Sequence, residues 1–108
     1  MSREDRERLH DVLEAIDAIR GHAASLDDAP GAIVRDAILY RLVVIGEAVK
    51  AIPEATRAAR PDINWRGIAG LRDLLTHEYF RIDSDRIQEL LGEPLDTLEQ
   101  AVGELLSQ

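Results

Sequence analysis

An all-α fold, an antiparallel bundle of four main helices plus one short helix, is predicted by three features of the chain. Apolar residues recur at 3-and-4 spacing almost from end to end. The strict apolar–polar alternation of a half-buried strand is found nowhere. Turn-forming residues gather at only a few points, around 26–31, 53, 61 and 83–84, and cut the chain into helix-length pieces. At 108 residues the chain reads as one domain, 1–108, able to bury a core without staples.

The first helix is marked by Leu9, Val12, Leu13, Ile16, Ile19, Ala23 and Leu26 on one face. Ser2 is its expected N-cap, and the acids at 4, 5 and 7 suit the positive end of a helix dipole. LDDAPG at 26–31 reads as a turn in which Asp27 or Asp28 caps and Pro30 opens the next helix. That second helix should run from about Pro30 to Ile52, where Pro53 discourages continuation. Its centre, AILYRLVVIGEAV, is apolar nearly all round, which predicts burial in the bundle together with a surplus face over Ile38–Ile45 for a homodimer contact. Gly46 is costly inside a helix, so close backbone packing is its expected role. PEATRAAR gives a short helical turn stopped by Pro61. Asn64 should then cap a helix starting at Trp65, with Ile68, Leu71, Leu74 and Leu75 buried. GIAG at 67–70 has no flanking strand pattern and reads as a packing feature rather than a nucleic-acid-binding loop. Asp83 or Ser84 is expected to cap a last helix carrying Ile87, Leu90, Leu91, Leu95, Leu98, Val102 and Leu105, kinked at Pro94.

Composition narrows the function. The absence of Cys excludes disulfides, thiolate metal sites and a Cys nucleophile. The charged start, MSREDRERLH, lacks a signal-peptide core, and LVVI at 42–45 is far too short to cross a bilayer. A soluble cytoplasmic protein with no membrane association is expected. The formal net charge of −8, from 13 Lys and Arg against 21 Asp and Glu, argues against a general nucleic-acid coat. Only residues 57–86 have a positive bias, with six arginines against five acids.

RDLLTHEY at 72–79 lies inside that segment. Of the three histidines, His10 and His22 lack partners at metal-ligand spacing and read as surface or packing residues. No HExxH pair, phosphate-cradling loop or Ser nucleophile elbow is present. His77 is therefore the candidate for chemistry. Histidine can give and take a proton near neutral pH. The fork of Arg72 fits a phosphate and the charge gathering on its transition state. Together they suffice for metal-free RNA cleavage, in which a ribose 2′-OH attacks the neighbouring phosphorus.

Spacing constrains this idea. In a regular helix Arg72 and His77 stand about 140° apart, whereas Arg72 and Tyr79 share a face. The trio converges only if the helix ends or distorts near Thr76, or if two subunits pool their residues. A plainer alternative has Arg72 paired with a helix acid and His77 capping a C-terminus.

Arg72, His77 and Tyr79 fit an R-x4-H-x-Y signature, and IGEA (45–48), PDINW (61–65), IAGLRD (68–73) and YFRID (79–83) follow in matching order. With these motifs the whole chain resembles the HepT-like toxins of the HEPN ribonuclease superfamily. The resemblance implies a HEPN-like fold and a homodimer whose Arg and His motifs meet in a cleft. It implies a metal-independent endoribonuclease with no cofactor, the toxin of a type VII-like toxin–antitoxin system acting on RNA. Its partner would be a nucleotidyltransferase antitoxin of the MntA type, which transfers AMP from ATP to the motif Tyr. Carried over, Arg72 and His77 are catalytic, Tyr79 is the modified residue, and Asp73 and Thr76 are supporting or substrate-binding. Asp73 departs from the Asn often found there; it could orient His77 but would repel RNA phosphate. The competing expectation is a catalytically silent HEPN subunit that binds a nucleotidyltransferase. An ordinary helical dimerisation module would leave the Arg–His–Tyr grouping unexplained.

Overall fold

The computed structural model describes residues 1–24, 31–79, 81–82 and 84–108, and of Ser84 the backbone alone. Among these residues there are seven helices and no strand. They are α1 (Arg3–Ala24), α2 (Gly31–Lys50), α3 (Glu54–Arg57), α4 (Trp65–Ala69), α5 (Leu71–Glu78), α6 (Ser84–Leu91) and α7 (Glu93–Leu106). The expected turn at 26–31 and the cap at Asp83 or Ser84 lie outside the described residues, save for Gly31, which opens α2.

The all-α bundle is as the periodicity predicts. Leu9, Val12, Ile16 and Ile19 of α1 are buried against α2, and Ala101, Val102 and Leu105 of α7 close over α1. Arg6 donates to the Leu106 carbonyl while Arg20 pairs with Asp96 and Glu99, so α1 and α7 run antiparallel. Ser2 caps α1, its hydroxyl accepting from the Asp5 amide as the Asp5 carboxylate accepts from Ser2 N. Asn64 caps α4 by accepting from Gly67 N, and Trp65 is buried with its indole N–H on the Arg60 carbonyl. GIAG is thus helix cap and packing, as expected.

Two long helices divide where the pattern read them as continuous. The helix opened by Asn64 breaks at Gly70, which ends α4 and begins α5. The C-terminal helix is not kinked at Pro94. It ends at Leu91, turns through a non-helical Gly92 and restarts with Pro94 in the first turn of α7. There the missing N–H of proline has no intrahelical partner to lose, so it opens a helix instead of bending one.

The surplus face is smaller than expected. Ile38, Leu39, Leu42 and Ile45 are all buried within the chain. What stays uncovered on α2 is Ile33 and Tyr40, 65% and 61% exposed, with Val43 and Val44 half-buried. Gly46 does mark a close approach. A Cβ there would stand 3.0 Å from the Ile68 carbonyl oxygen and 3.3 Å from Arg72 N. This glycine sets the distance between α2 and the α4–α5 unit. No helix among the described residues is long and apolar enough to cross a membrane.

Candidate active site

The site grows from α5 lying antiparallel across α2. Leu71 and Leu75 are buried and fix the rotation of α5; every other position from Arg72 to Tyr79, except the half-buried Leu74, is exposed. Arg72 and Tyr79, seven residues apart, return to nearly the same angle and both reach α2. Arg72 Nη1 lies 3.4 Å from Glu47 Oε1. Tyr79 Oη donates to Asp36 Oδ1 at 2.6 Å.

The helix does not distort at Thr76. Its hydroxyl donates to the Arg72 carbonyl one turn back at 2.7 Å without breaking the helix, and Tyr79 itself keeps helical angles as the C-cap. Arg72 and His77 therefore stay about 140° apart around one axis. His77 is exposed and points away from the Arg72–Tyr79 face. Asp73 precedes His77 by one helical turn and is also exposed, but no hydrogen bond joins them. The structure thus brings Arg72 and Tyr79 to α2 and leaves Asp73 and His77 on a neighbouring face.

Sequence reasoning missed the three residues of α2 that hold these side chains. Arg35 binds the end of α5: its Nη2 donates to the Tyr79 carbonyl at 2.6 Å and the Ile82 carbonyl at 2.9 Å, and its guanidinium sits 5.1 Å from the Tyr79 ring centroid. The other two are Asp36 and Glu47. Glu47 was visible only as a letter of IGEA. The available signal was the row Asp36, Tyr40, Val43 and Glu47, whose spacings of 4, 3 and 4 put carboxylates at both ends of one helix face.

Asp36, Leu39, Tyr40, Val43, Leu75, Thr76 and Tyr79 line a shallow groove of about 490 Å³ between α2 and α5. A larger apolar groove, bordered by Leu42, Ile68, Leu74, Leu90 and Leu98, includes neither Arg72 nor His77 nor Tyr79. Tyr79 holds its proton more tightly than an ordinary phenol. The chief cause is the hydrogen bond to Asp36; partial burial and the Asp36 charge add to it, and Arg35 opposes. The Arg72–Glu47 pair is open to water, with side chains 59% and 47% exposed. Exposed pairs are worth roughly 0–1 kcal/mol, so an incoming phosphate can displace Glu47.

Tyr40 departs from expectation. Its place at the apolar centre of α2 implies a shielded side chain and a poor acceptor for a modifying group, yet it is 61% exposed against 36% for Tyr79. Its position falls on the outer strip of α2, which the other helices do not cover. Exposure therefore does not choose between the two tyrosines.

The site is thus an exposed Arg–His motif on a small helical domain, beside a groove between two helices. Residues 12–105 match the family described as Ribonuclease HepT-like. The chain is 31% identical over 102 residues to a protein of Thermococcus cleftensis named "Probable ribonuclease HepT", covering 92% of this chain and 93% of that one. It is 40% identical over 78 residues to a provisionally named RNase of Caldanaerobacter subterraneus subsp. tengcongensis, covering 68% and 70% of the two chains. No solved structure matches significantly. The chain belongs to the HepT-like ribonuclease family.

Proposed function

We propose that the protein is a metal-independent endoribonuclease whose active form is a homodimer, with one HepT-like domain (1–108) per protomer. The observation that carries the reading is the regularity of α5, which exposes Arg72 and His77 at angles that one protomer cannot aim at one phosphate. Two copies facing each other across a two-fold axis can. The uncovered strip of Ile33 and Tyr40 on α2, flanking α5, is apolar surface suited to such a contact. In the shared cleft Arg72 leaves Glu47 for the scissile phosphate and neutralises its growing charge. His77 moves protons to and from the attacking 2′-OH and the leaving 5′ oxygen. Thr76 and Asp73 border this path; the Thr76 hydroxyl donates to the Arg72 carbonyl. Light scattering is expected to give a dimer at micromolar concentration, and a stable monomer would refute the shared cleft.

Regulation follows from Tyr79. In this reading the chain is the toxin of a type VII-like toxin–antitoxin pair in the cytoplasm, and an MntA-like nucleotidyltransferase transfers AMP from ATP to the Tyr79 hydroxyl. The added group is bulky and negative beside the place RNA phosphate must occupy, so both sterics and like charge oppose substrate. Protein incubated with its cognate nucleotidyltransferase and ATP is expected to gain mass in AMP units, mapped to Tyr79, and to stop cutting RNA. Modification that persists in Tyr79→Phe, or modified protein that cuts at the original rate, would remove this switch.

Two observations favour a second reading, a silent HEPN subunit that only binds the nucleotidyltransferase. The net charge is −8, and Arg72 already faces a carboxylate. An RNase assay on the unmodified protein separates the two.

A further inference from the structure

We propose that Asp36 is a positioning residue and proton acceptor for AMP transfer, holding the Tyr79 hydroxyl in one direction and taking its proton as the phenolic oxygen attacks. This rests on the reading of Tyr79 as the AMP acceptor.

An exposed tyrosine near a helix end usually swings freely about two side-chain torsions. Tyr79 is held at both ends of its side chain. Arg35 fastens the backbone carbonyls of Tyr79 and Ile82 and lies over the ring. Asp36 Oδ1 accepts the phenolic proton in a 2.6 Å bond, in the short range of an O–H bonded to a carboxylate. The nucleophilic oxygen therefore has a fixed location, with its proton already directed at a base. The Asp36 side chain is 55% exposed, so a proton it receives can pass to water.

The same contact accounts for a choice between tyrosines. Tyr40 is the more exposed of the two. Its ring lies under the Arg41 guanidinium at 5.6 Å, and among the described residues no carboxylate accepts its proton. Asp36, not accessibility, distinguishes Tyr79. Arg35 and Asp36, with Tyr40 along the groove, are the charged or titratable groups of α2 that face the Tyr79 ring; the α5 residues in the groove, Leu75 and Thr76, add none.

In the step itself the Tyr79 O–H bond breaks and its proton moves to Asp36 Oδ1. A bond forms from the phenolic oxygen to the α-phosphorus of ATP. The bond from that phosphorus to the oxygen bridging to the β-phosphate breaks, and pyrophosphate leaves with the electron pair. Tyr79-O-AMP, pyrophosphate and one proton account for all atoms, with no change of oxidation state.

The test uses the full chain, its cognate nucleotidyltransferase and α-labelled ATP, and compares wild type, Asp36→Asn and Asp36→Glu. Asparagine keeps an oxygen that can accept a hydrogen bond but gives up the base. Phosphoryl transfer leans less on proton transfer than acyl transfer does, so the loss should fall near the low end of base catalysis, roughly 10²-fold at neutral pH. The ratio of Asp36→Asn rate to wild-type rate is expected to climb between about pH 7 and pH 9, because direct ionisation of the phenol replaces the missing base. Taking the ratio cancels titration within the nucleotidyltransferase. Asp36→Glu, which keeps a carboxylate, should recover at least about tenfold over Asp36→Asn with a ratio to wild type that is flat in pH. Tyr79 modified at equal rates in wild type and Asp36→Asn, or a deficit unchanged across pH, would overturn the inference and leave the AMP reading standing. Wild-type protein that gains no AMP on Tyr79 would sink the AMP reading, and this inference with it.

Discussion

His77→Ala and Arg72→Ala are each expected to abolish RNA cleavage while leaving the fold intact. Both side chains are exposed on α5 and lie outside the buried core cluster, so far-UV circular dichroism and thermal melting should stay close to wild type. For His77 the loss is that of general acid–base help, typically ~10²–10⁴-fold. For Arg72 it is the charge that meets the developing phosphorane; removing one such electrostatic partner costs ~10²–10³-fold in well-studied sites. The double variant should be little worse than either single one, because groups that act on one transition state are not additive. Arg72→Lys should stay well below wild type, since a point charge does not reproduce a two-pronged contact. Variants that cut RNA at wild-type rate, measured on a labelled single strand, would show that the motif is not the catalytic one.

Gly46→Val should destabilise the fold by overpacking the contact between α2 and the α4–α5 unit. The new Cβ alone would meet the Ile68 carbonyl at 3.0 Å and Arg72 N at 3.3 Å, both backbone atoms that move only with their helices. Valine adds two methyl groups to that contact. Overpacking of this kind costs about 1–3 kcal/mol, and each kcal/mol lowers Tm by roughly 4–8 °C in a domain of this size. The gain in helix propensity over glycine, under 1 kcal/mol by the usual scales, does not offset it. Because Arg72 is one of the displaced residues, RNA cleavage should fall as well, even below the new Tm. A Gly46→Val protein that melts with wild type would mean that α2 and α5 are not held at this spacing.

The fold was legible because its signal is redundant. Seven apolar residues mark the face of α1, and four of them, Leu9, Val12, Ile16 and Ile19, prove buried, so no single residue decided the reading. Where the signal rests on one residue it was harder to interpret. Pro94 bends a helix or opens one depending on whether a turn precedes it, and Gly92 decides that two residues earlier. Gly70 likewise divides a run whose apolar spacing continues through the break. Of the site, Arg72, His77 and Tyr79 could be found because unusual residue types stand close together in sequence. Asp36 and Glu47 could not. They are 36 and 25 places removed from the α5 motif as measured from Arg72, and only the antiparallel packing of α5 on α2 makes them neighbours. The exposure of Tyr40 was hidden for a related reason. An apolar neighbourhood in sequence includes all sides of a helix, but the bundle covers only some of them.

In the proposed mechanism Arg72 and His77 cut RNA by activating its own 2′-OH, without a metal ion. Purified, unmodified protein incubated with a defined single-stranded RNA in excess EDTA tests it most directly, with the 3′ ends of the fragments analysed. Cleavage that persists in chelator and leaves 2′,3′-cyclic phosphate, absent from an RNA with a 2′-deoxy residue at the cut, is the result expected. No cleavage, or cleavage that needs a divalent ion and leaves a 3′-hydroxyl, would contradict the mechanism.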